Sequence, residues 1–175
     1  MIGMTWTGNS RFFGVFALAV AALTIAPGCG GGGGNDPTSL VGSWRAETIS
    51  AAGRTVACPG SISFTDNNGV FTDVSCGSDD TVQFKSDGTL LGSGSREGTR
   101  GRIRGTWNRN GDTLTTTITE LAADLNGNGA FEADEVFPQN PPQTTTGRIE
   151  LLDSRHLTVH SVEDGVDMRT TSRRL

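Results

Sequence analysis

The 175-residue chain has no Tyr, one Lys (Lys85), two His (His156 and His160) and three Cys. Each shortage closes or demotes a class of function. A phosphate-cradling P-loop needs a Lys behind its glycines, and Lys85 has no such setting. A hydrolase needs a nucleophile, a base and an orienting acid; Ser is plentiful, but with two His and no G-x-S-x-G elbow that reading ranks low. Without a C-x-x-C unit, the Cys residues do not read as a zinc site. The apolar run 12–25 has 14 residues, short of the roughly 20 that span a bilayer as a helix. A hydrophobic content of 34% is enough for one core and too little for a polytopic membrane protein. With 14 basic against 19 acidic residues and a net charge of −5, the chain lacks the positive footprint of a nucleic-acid binder.

What is present begins with an address. Residues 1–11 are polar and end on Arg11, the apolar run 12–25 follows, then Ala26-Pro27-Gly28 and Cys29. This is the layout of a secretory signal with a short hydrophobic region. It resembles a bacterial lipoprotein signal, which is cut just before a Cys that receives lipid. That resemblance implies a signal peptide over 1–28, lipidation of Cys29 and a membrane anchor. An ordinary cleaved signal and an uncleaved anchor are the alternatives. Gly30 is not the Asp that retains such proteins in the inner membrane, so the resemblance implies the outer membrane, on its periplasmic face or at the cell surface. Residues 29–39 carry five consecutive glycines and read as a flexible tether, with the domain over 40–175.

Cys58 and Cys76 then remain. Export places them in an oxidising compartment, where a disulfide closing about 18 residues contributes on the order of 3 kcal/mol. Two free thiols are the alternative.

After Ser39 no helical period is sustained. Short alternating runs predict strands over 42–49, 54–58, 61–65, 70–74, 81–85, 102–107, 114–118, 147–152, 157–161 and 166–173. Turn signals separate them at Asn67-Asn68-Gly69, Asp87-Gly88, Asn110-Gly111-Asp112, residues 153–156 and Asp164-Gly165. Nine or ten short strands predict an all-β sandwich or an up-and-down barrel. The series Gly42-Ser43-Trp44, Phe84-Lys85-Ser86-Asp87-Gly88-Thr89, Gly105-Thr106-Trp107 and Arg155-His156-Leu157-Thr158-Val159 resembles the bacterial lipocalin-like domains carried by many lipoproteins. The resemblance implies an antiparallel lipocalin-like β-barrel, a monomer, and a small apolar ligand in its interior. Trp44 and Trp107 read as core packing ahead of ligand contact.

Residues 124–135, DLNGNGAFEADE, fit the template D-x-[DN]-x-[DN]-G-x5-E at every fixed position. The segment resembles the EF-hand calcium loop, inserted in the barrel over about 122–142. The resemblance implies Ca²⁺ bound by the side-chain oxygens of Asp124, Asn126 and Asn128, the Ala130 carbonyl, Glu132 through water, and Glu135 as a bidentate ligand. Gly129 permits the sharp turn, and Phe131 takes the apolar slot beneath the loop. The flanks depart from the EF-hand: each side has room for about one helical turn, Pro138 and Pro141-Pro142 stop a helix, and no second loop exists to pair with. Two neutral Asn ligands predict weak binding, about 10⁻⁴–10⁻³ M.

His156 and His160 read as surface residues, and Asp79-Asp80 as acids solvating a turn. Arg96, Arg100, Arg102, Arg104 and Arg109 read as an exposed strand face, with anionic lipid or a partner as the functional alternative. The sequence therefore predicts a lipid-anchored, non-catalytic envelope binding protein with a calcium loop. A structural or interaction lipoprotein with a filled barrel is the alternative, and a hydrolase ranks below both.

Overall fold

The structure is a computed structural model that describes residues 39–65, 69, 71–163 and 165–175. The signal, Cys29 and the glycine tether lie outside these residues, as do Asn67, Asn68, Val70 and Asp164. The described chain is almost entirely strand: β1 (Gly42–Ala51), β2 (Arg54–Ala57), β3 (Gly60–Thr65), β4 (Phe71–Cys76), β5 (Thr81–Phe84), β6 (Thr89–Arg96), β7 (Thr99–Asn110), β8 (Thr113–Ala123), β9 (Val136–Leu152), β10 (His156–Glu163) and β11 (Val166–Arg174). One turn of 3₁₀ helix, Ala133–Glu135, precedes β9.

Eight of the strands close a ring. β5 through β11 pair in sequence as antiparallel neighbours, and β1 joins β5 on one side and β11 on the other. Closure leaves these strands no free edge to aggregate on. β1 serves three partners because it is long. Gly42 to Arg45 pair with β5, while Thr48 to Ala51, beyond the end of β5, pair with β2. β3 and β4 form a separate hairpin between β2 and β5. The Cys58–Cys76 disulfide ties the root of this excursion.

The tight hairpins form where sequence chemistry demands them. Asp87-Gly88 turns the chain, with Gly88 at φ 83° and Asp87 Oδ1 accepting from Thr89 N–H at 2.8 Å. The strand after this turn, β6, carries Gly92, Gly94 and three Ser or Thr residues, so its alternation is faint in the sequence. The second departure is β9. Pro138, Pro141 and Pro142 bar a helix and yet lie within a strand of 17 residues. The ladder with β8 skips from Ile118–Gln143 to Glu120–Pro138, so residues 139–142 bulge out opposite Thr119. The bulge takes Pro141 and Pro142 out of the ladder, where Pro cannot supply an N–H, while Pro138 stays opposite Glu120.

The meander gives the barrel two different ends. The chain enters at the lower end, which also holds the turns after β5, β7 and β9. The upper end holds the β2–β4 excursion, the β6–β7 turn, the loop 124–135 and the β10–β11 turn. Trp44, 0% exposed, closes the lower end. Its indole N–H donates to Leu40 O at 2.9 Å, and the Arg174 guanidinium lies 4.2 Å over its ring. Leu40, Val82, Phe84, Leu90, Leu114, Ile149 and Leu157 pack with it, and Trp107 meets Phe84 edge-on at 5.5 Å. A second core, Ile49, Ala51, Ile62, Val74 and Cys76, joins the excursion to the upper half of β1.

Candidate metal centre and barrel interior

The loop 124–135 links the top of β8 to the top of β9, so the strand ladder fixes both its ends. Asp124 N–H extends that ladder by donating to Arg100 O at 2.9 Å. The loop then folds over its own side chains. Gly129 N–H donates to Asp124 Oδ2 at 2.9 Å, with Gly129 at φ 82°, a conformation that favours glycine. Asn128 N–H donates to Asn126 Oδ1 at 2.9 Å, and Ala130 N–H to Asn128 Oδ1 at 2.8 Å. Glu135 Oε1 accepts from Leu125 N–H at 2.8 Å and Asn126 N–H at 3.1 Å, and its Oε2 accepts from Glu132 N–H at 3.1 Å. Asn128 Nδ2 donates to Glu132 Oε1 at 2.9 Å.

The two end carboxylates are buried, Asp124 at 4% exposure and Glu135 at 3%. Burying a carboxylate is costly unless hydrogen bonds and opposite charge compensate it. Backbone N–H groups serve three of the four oxygens. Asp124 Oδ1 is buried and has no hydrogen-bond partner. Among the described residues neither carboxylate has an ion-pair partner; the nearby Arg100 donates to a carbonyl, Gly129 O, at 3.1 Å. The donor set is all oxygen, mixed from carboxylates, Asn amides and a main-chain carbonyl, which suits a hard cation. No group of three or more His, Cys, Asp or Glu side chains converges as a metal site among the described residues.

The barrel interior holds the second candidate site. A cavity of about 80 Å³ lies between the two cores, lined chiefly by Trp44, Val82, Phe84, Leu90, Leu114 and Leu157. Ligand pockets for drug-sized molecules run to about 300–1,000 Å³. The space is closer to a few waters, or to an apolar cavity of roughly 150 Å³ that takes benzene.

Sequence reasoning missed the side chain at the upper rim of this cavity. Asp80 reads as a solvated turn residue, but it is 6% exposed and ion-paired. Arg96 grips both its oxygens, Nη1 donating to Oδ1 at 2.8 Å and Nη2 to Oδ2, while Gly77 N–H donates to Oδ2 at 2.8 Å. The same guanidinium reaches Ser75 O on β4 at 3.2 Å, so one clamp joins the excursion to the barrel. Glycine is required at 94, where an added Cβ would collide with Asp80 Oδ1. That unexplained pair of glycines around Ser93 was the only signal in the sequence.

The other arginines of the patch are also engaged internally. Arg102 pairs with Glu120 at 2.8 Å, Arg104 lies 3.7 Å from the same carboxylate, and Arg109 donates to Gly111 O at 2.7 Å. His156 and His160 alternate with the cavity-lining Leu157, Val159 and Ser161 and so face outward. His156 lies near Asp153, and His160 lies 3.0 Å from Asp167 and 3.8 Å from Glu150. Arg169 holds the Glu150 carboxyl below its ordinary value.

No protein-family model matches the chain, and no curated protein matches it. Among solved structures, the fold is similar to that of a lipocalin-like protein from Bacteroides uniformis. The two are 13% identical, the similarity covers 81% of this chain and 100% of that one, and the TM-score is 0.42. The barrel assignment stands on this chain's own strand pairing.

Proposed function

We propose that the chain is a non-catalytic binding protein of the cell envelope, anchored through lipid on Cys29, with Ca²⁺ held by the loop 124–135. The observation that carries the calcium reading is Asp124 Oδ1, a buried carboxylate oxygen with no partner inside a loop of oxygen donors. Asp124, Asn126, Asn128, the Ala130 carbonyl, Glu132 through water and Glu135 would hold the ion. Bound there, Ca²⁺ would supply the positive charge that the two buried carboxylates otherwise lack. It is a structural ion in this reading, and the 3₁₀ turn is too short to open a groove as a calcium sensor does. The layout of residues 12–29 supports export and lipidation, which would leave the domain at the outer membrane as a monomer on a tether.

The test is calcium titration of the full chain after chelation, by calorimetry and thermal melting. Binding to the folded state stabilises by RT ln(1 + [L]/Kd), about 2.7 kcal/mol at a hundredfold excess over Kd. Glu135→Gln should abolish that gain. No heat and no rise in melting temperature at millimolar Ca²⁺ would end the calcium reading. A Cys29→Ser chain that still partitions into membranes would end the lipid-anchor reading.

The cavity size favours a second reading of the barrel itself. At about 80 Å³ the interior supports a filled structural or interaction module over a carrier of a small apolar ligand.

A further inference from the structure

An ion loop on an EF-hand leans on two helices and on a second loop. Here β8 and β9 hold its ends, and among the described residues nothing helical beyond one turn supports its middle. Three contacts nevertheless refer the loop to a single neighbouring strand, β7. The first fixes the start, Asp124 N–H to Arg100 O at 2.9 Å. The second fixes the peptide between Gly129 and Ala130, through Arg100 Nη1 to Gly129 O at 3.1 Å. The third fixes position 8, with the Arg102 guanidinium 4.6 Å from the centre of the Phe131 ring. Arg102 is itself held by Glu120 Oε1 on β8 at 2.8 Å, which fixes the guanidinium and offsets its charge.

We infer that Arg100 and Arg102 are positioning residues of the ion loop, a brace from the barrel wall that replaces the missing helices and partner loop. This rests on the calcium reading above. The brace fixes the peptide just before the one that carries the Ala130 carbonyl and holds the half-buried Phe131 against the wall. Ion affinity then depends on closure of the barrel around β7, because the brace exists only when β7, β8 and β9 are paired.

Electrostatics alone gives the opposite sign. Removing an Arg beside a cation site relieves repulsion and tightens binding if charge is all that matters. Removing a brace loosens it. Calorimetric calcium titration of the full-length protein, with melting in chelator as control, separates the two. Arg102→Ala should weaken binding about tenfold, with loss of the ring contact and of the Glu120 pair. Phe131→Leu keeps an apolar side chain and the Arg102–Glu120 pair, and should weaken binding about threefold to fivefold. Arg100→Met should weaken it about threefold. Where Arg102→Ala also lowers the melting temperature in chelator, Phe131→Leu decides alone. Unchanged or tighter binding in Phe131→Leu and Arg100→Met, with a wild type that binds, overturns the brace and leaves the calcium reading intact. A wild type that binds no Ca²⁺ overturns both.

Discussion

Asp80 and Asp124 stand at the same end of the barrel with almost equal burial, 6% and 4% exposed. Their surroundings differ. Arg96 takes both oxygens of Asp80, and Gly77 N–H adds a third bond. Asp124 has Gly129 N–H on one oxygen and nothing on the other. A buried carboxylate must be compensated, and the chain does so in one place with its own guanidinium. In the other place the chain supplies one backbone N–H and no opposite charge, and the proposed calcium ion would complete it.

Breaking each aspartate in turn sharpens this contrast. The largest effect belongs to Arg96→Met, which strands Asp80. We expect a loss on the order of 3 kcal/mol in urea unfolding, the low end for a broken buried pair because Arg96 keeps 27% exposure. Paired Cys58→Ser and Cys76→Ser substitutions should cost about as much, roughly 3 kcal/mol, by freeing the root of the excursion that the same clamp holds. Asp124→Asn should behave in the opposite way to a change at Asp80. In chelator it removes an uncompensated charge and leaves the midpoint unchanged or raised. In calcium it forfeits the ion's contribution, about 2.7 kcal/mol at a hundredfold excess. Equal losses from Asp124→Asn with and without calcium would place both aspartates in one class.

The smallest effect is acid sensitivity at Asp79, next to the clamp. The Ser95 hydroxyl, donating at 2.6 Å, is the main cause that holds this carboxyl below its ordinary 3.8. Its folded value lies below the unfolded one, so its contribution is present above about 3.8 and is lost as pH falls through the lowered value. Ser95→Ala should flatten the stability profile in that acid range and leave neutral pH nearly unchanged.

Local chemistry made much of this molecule legible. The Asp87-Gly88 and Asn110-Gly111 turns hold because a glycine at positive φ is the residue such turns require. Val82 and Phe84 both face the core, as their alternation predicts. Within the loop, Asp124, Asn126, Asn128 and Glu135 each accept from backbone N–H groups a few residues away, as short spacing allows. Elsewhere the signal was faint or misleading. β6 was hidden by its small residues; the prolines of β9 rightly bar a helix, but nothing local showed that the strand would run through them, with Pro138 opposite Glu120 and Pro141 and Pro142 in a bulge.

Strand alternation, the tight turns and the spacing of the loop's oxygen donors are all set by neighbours a few residues apart. Which charges meet depends on the closed barrel. Ring closure pairs Trp44 with Arg174 across the whole domain. Sheet register sets Arg96 on Asp80, and the β7–β8 ladder brings Arg102 to Glu120, within reach of Phe131. Charge and burial at these sites depend on distances through space between residues far apart in the chain. No local pattern encodes that, and so two aspartates alike in the sequence came to have opposite needs.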